Sequence, residues 1–389
     1  MTGETFRLDS VLDEARAKEG LDDWGPGSFT EPLGVLLDAY AGAGLHDLGA
    51  MILRSGAVHS LRMRLRAQRW FTAHPEIAAE QVTAPVVVVG MMRSGTTLMQ
   101  RLLAADPGIA CAYGWEVQQV APKAGWDPHA PDPRVDRALA VEEQMRQYAA
   151  DLFAIHPMYA LEAEEEIVFL ADAFLSHVPE SGAHVPAYRA YLDSADFTPA
   201  YDHLHRMLQL LQWQKRQRGE AVDRWVLKTP AHLGYLDELR VRFPDLHVVH
   251  LHRDPRETIP SGASLNATLH AMHADSVDPR RIGAEWIERM GWTNDRALAV
   301  RDRWEAEGFT GVTDVAFEDL LVDPFAHVAR VYDALGEPLT DGALAAMRDW
   351  LARRPRETGR PDYRAETFGL SDARIDERFA AYNARFRQS

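Results

Sequence analysis

The sequence has one cysteine and no long apolar run, and each shortage excludes a class of protein. The single cysteine, Cys111, excludes an intramolecular disulfide. No window in the 389 residues approaches the run of about 18 apolar residues that a membrane-spanning helix requires. The first residues lack the basic and apolar segments of a secretory signal. We therefore expect a cytoplasmic protein with no membrane span.

Positive charge is also scarce. The 42 lysine and arginine residues face 58 aspartate and glutamate residues, and the net charge of −16 repels nucleic acid and anionic membranes. Only four of the basic residues are lysines: Lys18, Lys123, Lys215 and Lys228. We expect no nucleic-acid partner, and an anionic ligand would have to be held by local geometry. In a chain that uses arginine by default, a lysine within a motif is a candidate functional residue.

The strongest motif in the chain is VVVVGMMRSGTTLMQRLL, at residues 86–103. Its four consecutive valines predict a short strand that is buried on both faces. Gly90 and Gly95 then bracket four residues, the spacing of a phosphate-binding loop, with Thr96 where triphosphate-binding loops have lysine. Glycine backbone and the start of the next helix favour an anion there. Because the lysine is missing, we expect a ligand with a single phosphate at the loop, with Arg93 as the cation.

Periodicity predicts how the chain is organised around this strand. Residues 1–80 have apolar residues three and four apart, which predicts a helical N-terminal extension. Residues 84–114 and 222–370 predict a single α/β domain with a P-loop-like parallel sheet flanked by helices. Residues 115–218 predict a helical insertion, rich in aromatic and acidic residues, that forms a substrate pocket. Five arginines predict a solvated basic helix face in the extension: Arg54, Arg62, Arg64, Arg66 and Arg69.

Charged residues follow two later predicted strands. Lys228 follows one strand, and Arg253 follows the strand at residues 246–252. In an open parallel sheet, ligands bind at this carboxyl edge. A regular helix after Asp254 would place Ser261 about 700° further round, so Arg253 and Ser261 could hold a second phosphate together. An arginine paired with Asp254 and a serine bonded within its helix is the alternative, and the residues alone leave both open.

Three segments, taken together, resemble the sulfotransferases that use 3'-phosphoadenosine 5'-phosphosulfate. They are GMMRSGTTLMQRLLAADP, then VLKTPAHLGYLDELRVRFPDLHVVHLHRDP with Ser261 eight residues after Arg253, then VAFEDLLVDPFAHVARVYDALGEPL. The resemblance spans roughly residues 84–369 with gaps. It is closest to the bacterial and tyrosylprotein-type branch, which has arginine in the loop where the cytosolic branch has lysine. It implies an enzyme that transfers a sulfuryl group to a hydroxyl acceptor by in-line displacement, without a metal.

The resemblance also implies which residues bind this donor. The loop residues that correspond to the family's 5'-phosphosulfate site are Arg93, Ser94, Gly95, Thr96 and Thr97. Arg253 and Ser261 correspond to the 3'-phosphate site. In the family a late loop closes over the nucleotide, which makes Arg360, Tyr363 and Arg364 further candidates. A merely solvated basic loop is the alternative there.

The catalytic groups follow from the same resemblance. Lys228 matches the family lysine that contacts the transferring group, and Arg93 shares that role. The tyrosylprotein branch has a catalytic glutamate shortly after the loop helix, which makes Glu116 the expected base although about two extra residues precede it. The cytosolic branch takes its base from a histidine after an equivalent Lys-Thr, which makes His232 the alternative base.

Two other functions stay open from the sequence. A P-loop small-molecule kinase shares the strand, loop and helix, but it should have lysine in place of Thr96 and an acidic magnesium ligand where this chain has HRDP. A non-catalytic nucleotide-binding protein is disfavoured only by Glu116 and Lys228. The acceptor, a small molecule or a peptide with a hydroxyl group, is not identified by the sequence. A homodimer is equally open.

Overall fold

A five-stranded parallel sheet forms the centre of the structure, a computed structural model that describes residues 2–354 and 364–387. The strands lie in the spatial order β2-β3-β1-β4-β5. Their bounds are β1 Val86–Gly90, β2 Ile109–Ala110, β3 Arg224–Lys228, β4 His247–His252 and β5 Val312–Ala316. The predicted P-loop-like α/β fold is confirmed.

Helices surround this sheet. Those before it are α1 Thr2–Thr5, α2 Leu8–Glu19, α3 Thr30–Ala41 and α4 Asp47–Ala73, and α5 Thr96–Ala104 follows β1. Between β2 and β3 lie α6 Gly114–Gln118, α7 Pro133–Tyr148, α8 Ala150–Ile155, α9 Ile167–Asp172, α10 Val178–Gly182, α11 Pro186–Leu192 and α12 Thr198–Gln217. The later helices are α13 Leu236–Arg242, α14 Pro255–Ala271, α15 Pro279–Ala306, α16 Phe317–Val322, α17 Pro324–Leu335, α18 Asp341–Arg353, α19 Asp372–Arg378 and α20 Ala380–Phe386. Single 3₁₀ turns cover Pro75–Ala79, Pro230–Gly234 and Ala365–Phe368.

Strand β1 is the centre of the core. Its valines are fully buried and alternate between the two hydrophobic clusters that cover the two faces of the sheet. This alternation is what β-branched side chains on a central parallel strand should give. In the register, Val88 pairs with Lys228 on β3, and Gly90 pairs with Leu251 on β4. The ends of three strands therefore meet at one edge, where the loop begins.

Strand β2 is shorter than the segment around residues 109–113 suggests, because the chain beyond Ala110 pairs with the insertion. Glu164 donates its backbone N–H to Ala112 at 2.9 Å, and Gly114 donates to Glu162 at 3.0 Å. This pairing carries the acidic segment of the insertion to the edge of the sheet. The division of the chain into extension, core and insertion stays a prediction.

The predicted solvated basic face on α4 is wrong. Arg64 and Arg66 are buried, and Arg66 donates to Glu19 through two bonds of 2.6 and 2.7 Å. Arg62 donates to the same carboxylate at 2.6 Å. Buried charges need partners, so Arg62 and Arg66 tie α4 to α2, while Arg64 lies 3.3 Å from His203 Nδ1. Among the helices of the described residues, none has both the length and the apolar character needed to cross a membrane.

Candidate active site

The phosphate-type loop joins β1 to α5 through two glycines that no other residue could replace without strain. Gly90 and Gly95 have φ angles of 153° and 88°. A Cβ at Gly90 would lie 2.6 Å from the Ser94 hydroxyl oxygen, and one at Gly95 would lie 2.6 Å from the Phe317 ring. The Ser94 hydroxyl donates to the Met91 carbonyl at 2.6 Å and closes the turn. The first N–H groups of α5 have no partner within the helix, so the loop presents an anion-binding helix terminus.

Arg93 connects the loop to two other parts of the site. Its Nη1 donates to the Ile155 carbonyl at 3.1 Å, at the end of α8. Its own carbonyl accepts a bond of 2.7 Å from Nη1 of Arg253. The φ angle of Arg93 is 71°, a conformation that costs a non-glycine residue on the order of 1–3 kcal/mol and needs support from its surroundings. The structure thus brings together the predicted loop cation and the predicted 3'-phosphate arginine.

Arg253 lies at the end of β4, with its guanidinium 4.2 Å from the centre of the Phe317 ring. Its Nε donates to Glu257 at 2.9 Å. Asp254 is the N-cap of α14, accepting from the Arg256 N–H at 2.9 Å, and its other oxygen pairs with Arg387. The alternative in which Arg253 pairs with Asp254 is therefore wrong.

The other predicted donor-binding residues have less defined surroundings. Ser261 is buried on α14, which continues through Pro260 without a break, and its joint hold on a phosphate stays a prediction. Arg364 is exposed and precedes the last 3₁₀ turn. Arg360 and Tyr363 lie outside the described residues.

Lys228 and Glu165 form an ion pair at the carboxyl end of β3. The Lys228 Nζ lies 2.6 Å from Glu165 Oε1 and 3.3 Å from the hydroxyl of Thr97 on the loop helix. Burial raises the pKa of Glu165, but the Lys228 ammonium, His156 and hydrogen bonds from Lys228 and Thr229 outweigh it. The pKa of Glu165 therefore lies below its ordinary value, and the side chain is a carboxylate at neutral pH. Sequence reasoning missed Glu165, and its only signal was the acidic run EAEEE.

His232 lies behind this pair in a buried network. Its Nε2 is 2.7 Å from Glu166 Oε1, and its Nδ1 is 3.0 Å from the Tyr201 hydroxyl. The second oxygen of Glu166 accepts the backbone N–H of Lys228 at 3.0 Å. Both ring nitrogens are engaged and the side chain has no exposed surface, so the geometry gives His232 a positioning role at the end of β3. Its role as the alternative base stays a prediction.

Glu116 is held in a separate buried cluster. Its carboxylate accepts from Lys215 Nζ at 3.0 and 2.8 Å, from Arg218 at 2.9 Å and from the Tyr113 N–H at 3.0 Å. It is 0% exposed. Burial raises the pKa of Glu116. The charges of Lys215 and Arg218 lower it by more than burial raises it, so the pKa lies below its ordinary value. The prediction that Glu116 is the base stays a prediction, and the geometry favours Glu165.

A cavity of about 370 Å³ opens beside Glu165 and His156. It is bounded by Met92 of the loop and by Pro230, which closely follows Lys228. Its walls are mainly apolar and rich in methionine, and include Met145, Leu152, Met158, Leu265, Ile282 and Met290. Flexible, polarisable walls of this kind accommodate apolar ligands of varied shape. The cavity therefore adjoins both the phosphate-type loop and the Lys228–Glu165 pair.

Among the described residues, one group of side chains has the geometry of a metal site: His250, His252 and Asp314, whose ligand atoms lie within 4.8 Å of one another. Arg301 donates to both oxygens of Asp314 at 2.9 Å and lies 3.2 Å from His250 Nδ1. A guanidinium already neutralises the carboxylate and repels a further cation. The geometry therefore gives this group the role of an ion-paired strand end.

The parallel sheet, the glycine loop and the cations at the strand ends together define a P-loop-like enzyme that handles an anionic group. The sequence model described as "Sulfotransferase family" matches residues 85–341, and the chain belongs to this family. The protein is therefore a sulfotransferase, and its activity is sulfuryl transfer. Neither the kinase nor the non-catalytic alternative has support from these comparisons.

Relatives and solved structures agree with this assignment. The chain is 31% identical to sulfotransferase STF1 from Mycobacterium tuberculosis H37Rv, whose crystal structure matches with a TM-score of 0.82 over 96% of this chain and 98% of that one. Sulfotransferase STF9 from Mycobacterium avium matches with a TM-score of 0.85 at 26% identity, over 97% and 96% of the two chains. The omega-hydroxy-beta-dihydromenaquinone-9 sulfotransferase Stf3 of M. tuberculosis and M. bovis is 25% identical over 312 residues, 75% of this chain and 72% of that protein.

Proposed function

We propose that this sulfotransferase transfers the sulfuryl group of 3'-phosphoadenosine 5'-phosphosulfate to the hydroxyl of an apolar small molecule bound in the cavity. One observation carries the proposal. The Lys228 ammonium contacts Thr97 on the loop side at 3.3 Å and, at 2.6 Å, the Glu165 carboxylate that lines the cavity. A cation for the donor and a base for the acceptor therefore meet at one point.

The residues present fit this donor, which the family implies. The loop offers helix N–H groups and a cradle that a Cβ would fill, and Arg93, Ser94, Gly95, Thr96 and Thr97 are its proposed phosphosulfate ligands. Arg253 is the proposed 3'-phosphate ligand together with Ser261. The present partner of Arg253 is Glu257, whose side chain is 55% exposed. Surface ion pairs of this kind are worth only about 0–1 kcal/mol, so a phosphate can displace Glu257 from Arg253.

The proposed step needs a base, cations and positioning. When bound, the donor supplies an electrophilic sulfur and a 5'-phosphate leaving group. Glu165 accepts the acceptor's hydroxyl proton as its oxygen bonds to sulfur and the bond from sulfur to the bridging oxygen breaks, which releases adenosine 3',5'-bisphosphate. Lys228 and Arg93 stabilise the negative charge that develops on the bridging and sulfuryl oxygens. A base of this kind is typically worth about 10²–10⁴ in rate, and one such cation about 10²–10³.

The ion pair also explains how a carboxylate of low pKa can act as a base. An anionic sulfuryl group beside Lys228 competes with Glu165 for the ammonium. As that contact weakens, the pKa of Glu165 rises, and the carboxylate becomes a better proton acceptor. The Glu116 carboxylate is not freed in this way, because it is paired with both Lys215 and Arg218.

The apolar cavity supports a small-molecule acceptor rather than the peptide that the sequence left open. Stf3, whose name identifies a hydroxylated menaquinone derivative as its acceptor, gives further support. A cytoplasmic location and a homodimer stay predictions.

Two measurements test the proposal. Purified protein incubated with radiolabelled donor should transfer label to medium-chain primary alcohols but not to the matching methyl ethers, which have no hydroxyl proton to lose. Calorimetry should show tighter binding of adenosine 3',5'-bisphosphate than of ATP with magnesium. Label on no alcohol, or tighter binding of ATP, would contradict the proposal.

A further inference from the structure

A tyrosine near the C-terminus contacts the backbone of the arginine that is the proposed 3'-phosphate ligand. Tyr382 lies on α20, 129 residues after Arg253, and it is only 2% exposed. Its hydroxyl accepts the Arg253 backbone N–H at 3.3 Å. The hydrogen of the same hydroxyl is within reach of the Arg253 carbonyl oxygen at 3.4 Å and of His252 Nδ1 at 3.3 Å. One buried hydroxyl group therefore contacts both polar backbone groups of Arg253.

Arg253 lies at a junction where its backbone needs such support. Strand β4 ends at His252 and helix α14 begins at Pro255. The backbone of a residue inside a strand or a helix is held by the regular hydrogen bonds of that element, whereas a residue between two elements depends on other partners. The φ and ψ angles of Arg253 decide the direction in which its long side chain leaves the chain. A group that fixes this backbone therefore also fixes where the guanidinium can lie.

Helix α20 and the residue after it also contact the two neighbours of Arg253. The Phe386 ring stacks on the His252 imidazole, with ring centres 3.9 Å apart and an angle of 20° between the ring planes. Arg387 lies 2.9 Å from the Asp254 carboxylate. The end of the chain thus contacts three consecutive residues at the junction of β4 and α14. The Tyr382 hydroxyl makes the contact to the middle residue of the three.

The other end of the Arg253 side chain is held by the donor loop and its surroundings. The guanidinium lies 4.2 Å from the centre of the Phe317 ring, and its Nη1 donates to the Arg93 carbonyl at 2.7 Å. With Tyr382 at the backbone and these contacts at the guanidinium, both ends of a long, flexible side chain are ordered before a ligand arrives. Less conformational entropy is then lost when a phosphate binds.

We propose that Tyr382 is a positioning residue for recognition of the 3'-phosphate, because its hydroxyl fixes the backbone from which the Arg253 guanidinium reaches the donor. This inference rests on the proposed function, in which Arg253 binds the 3'-phosphate. Tyr382 acts through Arg253 and not by contact with the donor. Loss of its hydroxyl should therefore weaken the binding of nucleotides that carry a 3'-phosphate more than the binding of those that lack it.

The test compares two nucleotides by calorimetry on the full chain: adenosine 3',5'-bisphosphate and adenosine 5'-monophosphate. Tyr382→Phe removes the hydroxyl but keeps the ring that packs against Phe379 and Phe386. We expect it to weaken binding of the bisphosphate about 5-fold and binding of the monophosphate less than about 2-fold. When Arg253→Met is already present, Tyr382→Phe should change binding of the bisphosphate less than about 2-fold, because the guanidinium that it positions is gone.

Tyr188 offers a matched control. Its side chain is buried in the insertion, and its hydroxyl donates to the Phe174 carbonyl at 2.7 Å. Tyr188→Phe also removes a buried, hydrogen-bonded hydroxyl, so it should lower Tm while the ratio of the two nucleotide affinities stays that of the wild type. If Tyr382 had only a structural role, Tyr382→Phe would behave in the same way.

The outcomes separate this inference from the proposed function. If Arg253→Met weakens the bisphosphate more than the monophosphate but Tyr382→Phe leaves their ratio unchanged, the inference is overturned and the proposed function stands. The inference is also overturned if Tyr382→Phe has the same effect with and without the Arg253 side chain. If Arg253→Met weakens both nucleotides equally, the proposed 3'-phosphate site is contradicted, and the inference fails with it.

Discussion

Two carboxylates, the buried Glu116 and the partly buried Glu165, compete for the role of general base, and one pair of substitutions distinguishes them. Replacement of each by glutamine keeps the shape and one hydrogen-bond acceptor but removes the negative charge. We expect Glu116→Gln to reduce stability and leave kcat within a few-fold of wild type below its Tm. We expect Glu165→Gln to reduce kcat by about 10²–10⁴, the usual contribution of a general base.

The stability effect follows from the surroundings of Glu116. Its carboxylate is the partner of Lys215, whose side chain is 2% exposed, and of Arg218. Removing one member of a buried ion pair typically costs about 3–5 kcal/mol, because it leaves the other charge uncompensated. At roughly 1.2 °C per kcal/mol for a chain of 389 residues, Tm should fall by about 4–6 °C. Glu165→Gln also weakens a buried pair, so turnover of the folded variant, and not Tm, is the decisive measurement.

The pH dependence of stability gives an independent check on Glu116. Its pKa is lowered in the folded state, so its ion pairs stabilise the protein above the unfolded-state pKa of about 4.5, and this stabilisation is lost as the pH falls through the folded pKa. Tm of the wild type should therefore fall more steeply on acidification below about pH 4.5 than Tm of Glu116→Gln. The reasoning is refuted if Glu116→Gln keeps its Tm but loses at least about 100-fold in kcat while Glu165→Gln stays active.

Three further predictions concern the donor side. Lys228→Met should lower kcat about 10²–10³ with the Kd of adenosine 3',5'-bisphosphate changed only a few-fold, whereas a large rise in Kd alone would contradict a transition-state role. Arg253→Met should weaken calorimetric binding of adenosine 3',5'-bisphosphate about 10–100-fold, but binding of adenosine 5'-monophosphate, which lacks the 3'-phosphate, should weaken only a few-fold, through the lost bond to the Arg93 carbonyl. Gly95→Ala should abolish measurable donor binding, because the added Cβ would meet the Phe317 ring. Gly20 also has a positive φ, but an added Cβ would have nothing within 4 Å, so Gly20→Ala should only lower Tm slightly. If both substitutions had the same effect on donor binding and on Tm, backbone strain alone would explain them.

The parts of the site that sequence could predict are those encoded by adjacent residues. Four valines, a glycine spacing and a run of helix-forming residues specify β1, the loop and α5, because strand burial, turn geometry and helix start depend on short-range features. The same reasoning placed Arg253 and Asp254 correctly at the junction of β4 and α14. The α/β fold could be predicted correctly because these local signals follow one another in order along the chain.

Contacts between distant segments could not be predicted in this way. Glu165 meets Lys228 only because the insertion returns to the sheet edge, and nothing in the acidic run shows which of its members has that partner. Glu116 follows the loop helix at about the expected distance, but its surroundings depend on Lys215 and Arg218, about 100 residues later. The error over the α4 arginines has the same origin, since Glu19 lies in another helix.

Three consecutive glutamates explain why the proposed base, Glu165, and the proposed cation, Lys228, lie together. Glu164 pairs with Arg101, Glu165 with the Lys228 ammonium, and Glu166 with His232 and the Lys228 N–H. Glu166 thus fixes the backbone of the residue whose side chain Glu165 holds. We therefore infer that Glu166, which takes no part in the proposed step, helps to position the proposed base and cation for in-line transfer.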